Sequence, residues 1–255
     1  MANAAIVADV HVTLPSWEIT LQLVVRWIHF VGGITWIGLL YFFNLVHVPL
    51  MKSLESEVRV KVFPGLVRRA MLWFRWSALL TVLAGLFYWS FYIIMPDARN
   101  GRLHGFEATG KPTLFWFLVI WTVAFAIEMA LLMIPVEAFK RALVLGPVVF
   151  VILIVAGYVW LSLNSHAWES SRLQAIGIGG GLGWFMLLNV WGVIWRIQKK
   201  LIRWTSDNAQ NGTPLPAEAP RLIQTAVVVS RVNFAVSFPM LLLMGAASHY
   251  PFIAG

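Results

Sequence analysis

An arginine and a histidine stand one helical turn apart in the first long apolar stretch of the chain. The stretch covers residues 17–50, WEITLQLVVRWIHFVGGITWIGLLYFFNLVHVPL, and contains Arg26 and His29. Residues at positions i and i+3 face the same side of a helix. Because a charged side chain exposed to lipid is costly, both should point into a helical bundle. At about 1.5 Å per residue they lie roughly 9–14 Å below the outer membrane surface.

These two side chains suit several kinds of membrane chemistry. An imidazole serves as a haem ligand or a proton-transfer group, and a guanidinium pairs with a haem propionate, an anionic substrate or a quinone oxygen. His166 and His249 fall on the same outer side as His29, so either is a candidate second ligand for non-covalent haem b. The alternative interpretation is a structural hydrogen-bonded pair that fixes helix packing.

A second pair of ionisable residues lies in later apolar segments. Glu128 and Arg231 are placed by the same depth arithmetic within about 5 Å of each other along the membrane normal. This spacing predicts an ion pair that either belongs to a proton path or holds two helices in register. The catalytic candidates are therefore Arg26, His29, Glu128 and Arg231, and the sequence predicts no metal-ion site.

The composition identifies the elements that must position these residues. Of 255 residues 60% are hydrophobic and 12% are charged, with a mean hydropathy of +0.78. These values are typical of an integral membrane protein in a lipid bilayer. We predict a single all-α domain over residues 1–255, a bundle of about six transmembrane helices that surrounds the first one. The predicted spans are residues 20–46, 71–95, 113–136, 142–163, 175–195 and 223–247.

The distribution of basic residues predicts the orientation of the bundle. Thirteen Lys and Arg residues fall in or beside the first, third and fifth connections, and four fall on the opposite side. The positive-inside rule therefore puts both termini on the outer side of a bacterial cytoplasmic membrane. The same rule explains the net charge of +8 without a nucleic-acid partner. Residues 1–16 are predicted to be a short tail of the mature chain.

The segments between the spans are predicted to be largely irregular. Residues 51–70 are a loop or a short surface helix interrupted at Pro64-Gly65, residues 96–112 are an exposed loop, and residues 196–222 are a cytoplasmic loop. The run GIGGGLG at residues 177–183 lacks the preceding strand of a dinucleotide-binding motif. Its glycines instead predict close approach of a neighbouring helix or of a flat cofactor.

Four segments resemble the membrane domain of bacterial membrane-bound urate hydroxylases. They are VVRWIHFVGGITWIGLLYFF, LWFRWSALLTVLAGLFYW, LNVWGVIWRIQKK and SRVNFAVSFPMLLLMGAASHYPF, in the family's order. The resemblance implies a helical membrane domain that oxidises urate to 5-hydroxyisourate and passes electrons to an attached cytochrome c domain. In this resemblance His29 and His249 correspond to family histidines. The chain has no cysteine, so an electron acceptor of the cytochrome c type must be a separate chain.

Three functions follow as hypotheses. The first is a membrane subunit of an oxidoreductase or electron-transfer complex, in which Arg26 and His29 line a polar pocket. The second is a non-catalytic subunit that anchors a larger respiratory-type membrane complex. The third is a small-anion transporter that uses Arg26 and Arg231, which the absence of paired broken helices disfavours.

Overall fold

The computed structural model describes residues 15–134, 136–251 and 253, and within them the chain is helical with no strand. Six helices of this part are long and apolar enough to cross a membrane. They are α1 (Trp17–Ser53), α2 (Ser56–Leu103), α3 (Gly110–Met133), α4 (Ala142–Leu163), α5 (Ser171–Asn211) and α6 (Ala219–Ala246). The chain is therefore an all-α multi-pass membrane protein. The predicted N-terminal tail lies almost wholly outside the described residues.

Two helices extend far beyond their predicted spans. α2 has 48 residues and α5 has 41, which correspond to about 72 Å and 61 Å, whereas the hydrocarbon core of a bilayer is about 30 Å thick. The segments around Pro64 and after Trp195 were predicted to be broken or irregular, and that prediction is wrong. Pro64 is buried inside α2, and α5 ends only at Asn211, followed by Gly212 in the left-handed conformation. The two extensions pack against each other, which supplies the stability that their local sequence lacks.

Wide π-helical turns interrupt three of the helices. They lie at Phe42–His47 in α1, Ser90–Ile94 in α2 and Val190–Ile194 in α5. The first two end two residues before Pro49 and Pro96, where a regular helix would bring a proline ring against a carbonyl of the preceding turn. The wider turn relieves that clash, so α2 continues to Leu103 through a segment predicted to be a loop.

The centre of the bundle is α5 rather than the first helix. In its most apolar window 61% of the residues are buried, compared with 17% for α1. Apolar residues of α1 such as Trp27 and Ile34 are exposed on the outer surface of the bundle, where lipid would lie. The expectation that the other helices surround the first one is therefore wrong, because apolarity alone does not distinguish a lipid-facing helix from a central one.

Glycines allow α5 to occupy the centre. A Cβ atom at Gly181 would overlap the indole ring of Trp121 on α3, and one at Gly177 would overlap that of Trp160 on α4. Both tryptophans are fully buried. Gly179 is in contact with α6, where a Cβ atom would lie 3.0 Å from Cβ of Leu243. The prediction that this glycine run allows close helix packing is confirmed.

A pair of alanine substitutions tests this packing. Gly181→Ala forces the Trp121 ring to move, and overpacking of this kind costs about 1–3 kcal/mol. Gly183→Ala, half a turn further along α5, meets no atom within 4 Å of the new Cβ. The second variant should be unchanged or more stable by about 0.5–1 kcal/mol because alanine favours the helix. Thermal unfolding in detergent, followed by circular dichroism, measures both, and equal stability of the two variants contradicts the packing.

Candidate functional site

A cavity of about 390 Å³ lies between α1, α2, α3, α5 and α6, within the range of small-molecule sites. Its lining includes both residues of the predicted Arg26–His29 pair. Both side chains therefore reach the cavity, but His29 is partly buried whereas Arg26 is exposed. Most of the remaining lining is apolar or glycine, so a few polar groups decide what the cavity can bind.

The His29 ring is held in one orientation by α2. Its Nδ1 atom lies 2.7 Å from the carbonyl oxygen of Thr81. Since a carbonyl oxygen only accepts hydrogen bonds, Nδ1 carries the hydrogen, and in the neutral ring Nε2 keeps its lone pair. Among the described residues Nε2 has no hydrogen-bond partner, and His29 lines the cavity. A histidine fixed through one nitrogen with the other accessible is the usual arrangement of a metal or haem ligand.

Gly85 makes room for this ring. A Cβ atom at that position would lie 2.7 Å from both Cε1 and Nδ1 of His29, closer than two such atoms approach. Thr81 and Gly85 are four residues apart, so they present the carbonyl and the gap on one side of α2. The sequence analysis did not select either residue, although a glycine inside an apolar helix is a signal for close packing.

Two cationic side chains stand at one end of the cavity. Arg26 from α1 and Arg172 from α5 both line it, together with Tyr88 from α2. The Tyr88 hydroxyl accepts hydrogen bonds from Gln22 Nε2 at 3.3 Å and from Arg172 Nη2 at 3.4 Å. Within the described part of the chain neither arginine forms a salt bridge with an acidic side chain. This end of the cavity therefore favours an anionic group.

Arg172 was assigned to an outer loop by the sequence analysis, and the structure places it in the first turn of α5. The helix begins earlier because Ser170 caps it, with its Oγ accepting from Leu173 N at 3.1 Å. Ser170 Oγ in turn donates to Asp97 Oδ2 at 2.5 Å. Serine is a common N-cap residue, so this signal was present in the sequence.

The cavity opens sideways between the first and last membrane helices. Phe30 and Ile34 of α1 and Leu241 of α6 line it and are also 54%, 75% and 44% exposed. The exposed apolar surface of these helices is the surface that lipid would contact. The opening therefore faces the interior of the bilayer rather than the water on either side.

The two other predicted histidines do not join His29 at the cavity. His166 Nδ1 is 2.8 Å from Oε1 of Glu169, and its backbone N donates to the other carboxylate oxygen of the same residue. His249 lies beyond the end of α6 and is exposed. Neither residue lines the cavity. Among the described residues no group of three or more His, Cys, Asp or Glu could hold a metal ion.

The predicted ion pair between Glu128 and Arg231 is not formed in the structure. Glu128 is completely buried, and among the described residues neither of its carboxylate oxygens has a hydrogen-bond partner. Arg231 is exposed. Depth along the membrane does not fix which side of a helix a residue occupies, and on α6 it is Asn233 that is completely buried.

The chain was compared with protein-family models, with curated proteins and with solved structures, and none of the three comparisons gave a match. The chemistry of the cavity therefore carries the functional inference.

The histidine orientation can be tested by two matched glycine variants. Gly85→Ala should push the His29 ring away from the Thr81 carbonyl, whereas Gly33→Ala places its Cβ atom in ordinary contact at 3.6 Å from Thr81 Cγ2. Nitrogen NMR of histidine-labelled protein, in lipid and free of any cavity ligand, should show one ring with Nδ1 protonated and Nε2 bare, assigned by its loss in His29→Gln. The signal should change in Gly85→Ala and persist in Gly33→Ala. A ring with Nε2 protonated and Nδ1 bare rules out the hydrogen bond to Thr81.

Proposed function

We propose that the chain is the membrane subunit of an oxidoreductase or electron-transfer complex and that its cavity holds non-covalent haem b. One observation carries the proposal. His29 is fixed through Nδ1, its Nε2 is accessible, and Arg26 and Arg172 stand without acidic partners at one end of the same cavity.

Each part of the cavity has a role in this proposal. His29 Nε2 would hold the iron of the haem, and Arg26 and Arg172 would pair with its propionates. Gly179, Gly180 and Gly183 of α5 form a wall without side chains, against which a flat ring can lie. Met240 and Met244 line the cavity from α6 and offer thioethers, a second ligand type found in haem proteins. Haem b, when bound, supplies a reversible one-electron iron couple.

The partner that exchanges electrons with this site lies outside the chain. With no cysteine the chain cannot attach a c-type haem or an iron–sulfur cluster of its own. The similarity of its segments to urate hydroxylase membrane domains supports a cytochrome c chain as acceptor and urate as substrate. Urate is an anion, so Arg26 and Arg172 could form ion pairs with it as they could with the haem propionates.

The sideways opening supports a second candidate ligand. A quinone is soluble in lipid, enters through an apolar opening, and carries carbonyl oxygens that accept hydrogen bonds from arginine or tyrosine. Phe30, Ile34 and Leu241 provide such an opening. In this case the subunit exchanges electrons with the membrane quinone pool. If the cavity takes neither haem nor quinone, the non-catalytic anchor subunit becomes the better hypothesis.

The distribution of basic residues supports a defined orientation for the site. The thirteen basic residues of the first, third and fifth connections are proposed to face the cytoplasm of a bacterial cell. Both termini are then on the outer side, and the cavity lies in the outer half of the bilayer. An electron partner at this end of the cavity would be a periplasmic or membrane chain.

An absorption spectrum tests the haem proposal. Protein purified from cells supplied with a haem precursor should show a Soret band that is lost in His29→Ala. His166→Ala is the matched control, because that ring is bound by Glu169 and does not line the cavity. Replacing Arg26 or Arg172 by Ala should weaken haem binding by about 10- to 150-fold, since a hydrogen bond to a charged group contributes about 1.5–3 kcal/mol.

A wild-type protein without a Soret band overturns the haem proposal. Extraction of the same sample for quinone, and urate-dependent reduction of added cytochrome c, then separate the remaining possibilities. Quinone in an amount close to one per chain favours the second candidate. If the protein contains neither haem nor quinone and can be purified only together with partner chains, the hypothesis of a non-catalytic anchor subunit is favoured.

The orientation is testable because the chain has no cysteine of its own. Glu107 and Ala209 are both exposed and lie at opposite ends of the bundle in the proposed topology. A membrane-impermeant maleimide should label Glu107→Cys from outside the cytoplasmic membrane. It should label Ala209→Cys only after the membrane is opened. The reverse pattern places the cavity in the cytoplasmic half.

A further inference from the structure

A sealed polar cluster lies apart from the cavity, where α3, α5 and α6 meet. It consists of Glu128, Asn189 and Asn233, each completely buried. Asn189 Nδ2 donates to Asn233 Oδ1 at 3.0 Å, and Asn233 Nδ2 donates to the carbonyl oxygen of Met186 at 3.0 Å. None of these residues lines the cavity. Along α5 the cluster is six residues beyond Gly183, about 9 Å further from Arg172.

Three oxygen atoms of this cluster have no donor. They are both carboxylate oxygens of Glu128 and Oδ1 of Asn189, which are buried and have no hydrogen-bond partner among the described residues. The Asn189 side chain is nonetheless the polar neighbour of Glu128. A buried ionised carboxylate normally accepts several hydrogen bonds or pairs with a cation. No described Lys, Arg or His forms a salt bridge with Glu128, and Arg231 of α6 is exposed.

The cluster therefore lacks a hydrogen-bond donor for these oxygen atoms. A protonated carboxyl group carries its own O–H donor and no charge, so it needs no cation beside it. A bound metal ion would also fill the gap, but three oxygens are fewer than the roughly six that hard cations such as Ca²⁺ and Mg²⁺ take. Protonation needs no further ligand.

We propose that Glu128 is a buried proton-binding site that is protonated, and therefore neutral, in the folded protein at neutral pH. The hydrogen bonds beside it run from Asn189 to Asn233 and from Asn233 to the Met186 carbonyl. The ligand of this site is the proton. The proposal is independent of what the cavity binds, because it rests only on contacts within the cluster.

Infrared spectroscopy tests the proposal on the intact protein in lipid at neutral pH. A protonated carboxyl group has a carbonyl stretch well separated from the bands of a carboxylate. This band should be present in the wild type and absent from Glu128→Gln, which can still donate an N–H to Asn189 and should fold. Glu218→Gln is the matched control, because Glu218 is exposed and its Oε1 is 3.6 Å from Lys200 Nζ. The control should keep the band.

A second variant tests the polar environment of Glu128. Asn189→Leu removes the polar neighbour of Glu128 at similar volume, so the band should move to the position of a carboxyl group in an apolar environment. If Glu128→Gln does not fold, Glu128→Asp assigns the band through the shift of its carbonyl stretch.

Three results overturn the proposal. The first is a wild-type spectrum at neutral pH that loses no protonated-carboxyl band on substitution of Glu128. The second is a Glu128 band that does not move in Asn189→Leu. The third is a band that appears only when sodium is removed from the buffer, because the occupant of the site is then a cation.

Discussion

Burial of α5 on all sides is the constraint on which the rest of the structure depends. Gly177 and Gly181 are four residues apart and receive the indole rings of Trp160 and Trp121. These contacts fix the distances of α4 and α3 from the central helix. Gly179 and Gly180 lie between them, Gly183 lies two residues beyond Gly181, and all three line the cavity. One short run of glycines therefore allows α3 and α4 to pack closely against α5 and also forms part of the cavity wall.

The sequence was sufficient to predict the membrane class and the six spans, because apolar composition and helix length follow directly from the thickness of a bilayer. It was misleading at the helix ends. Pro64 indicated a break by local propensity, but the extension of α2 packs against that of α5 and remains helical. Pro96 follows a π-helical turn, which no periodicity in the sequence revealed. Tertiary contacts and unusual turns decided both cases.

The same distinction between local and tertiary information applies to the site. Arg26 and His29 could be predicted because their spacing and depth are properties of one helix. Arg172 and Tyr88 could not, because their position depends on how α5 and α2 rotate against α1. The pairing of Glu128 with Arg231 failed for a related reason. The prediction used depth alone, and the rotation of α6 places Asn233 inside the bundle and Arg231 outside it.

The cavity and the buried Glu128 cluster lack opposite kinds of polar partner. Among the described residues, the arginines at the cavity have no acidic partner, while three buried oxygens of the cluster have no donor. A structural polar network would satisfy its own members, as the hydrogen bonds of Asn233 do. The missing partners match the two proposals, an anion-bearing ligand in the cavity and a proton in the cluster. Since α3, α5 and α6 contribute to both, a rigid frame holds the two sites at a fixed separation.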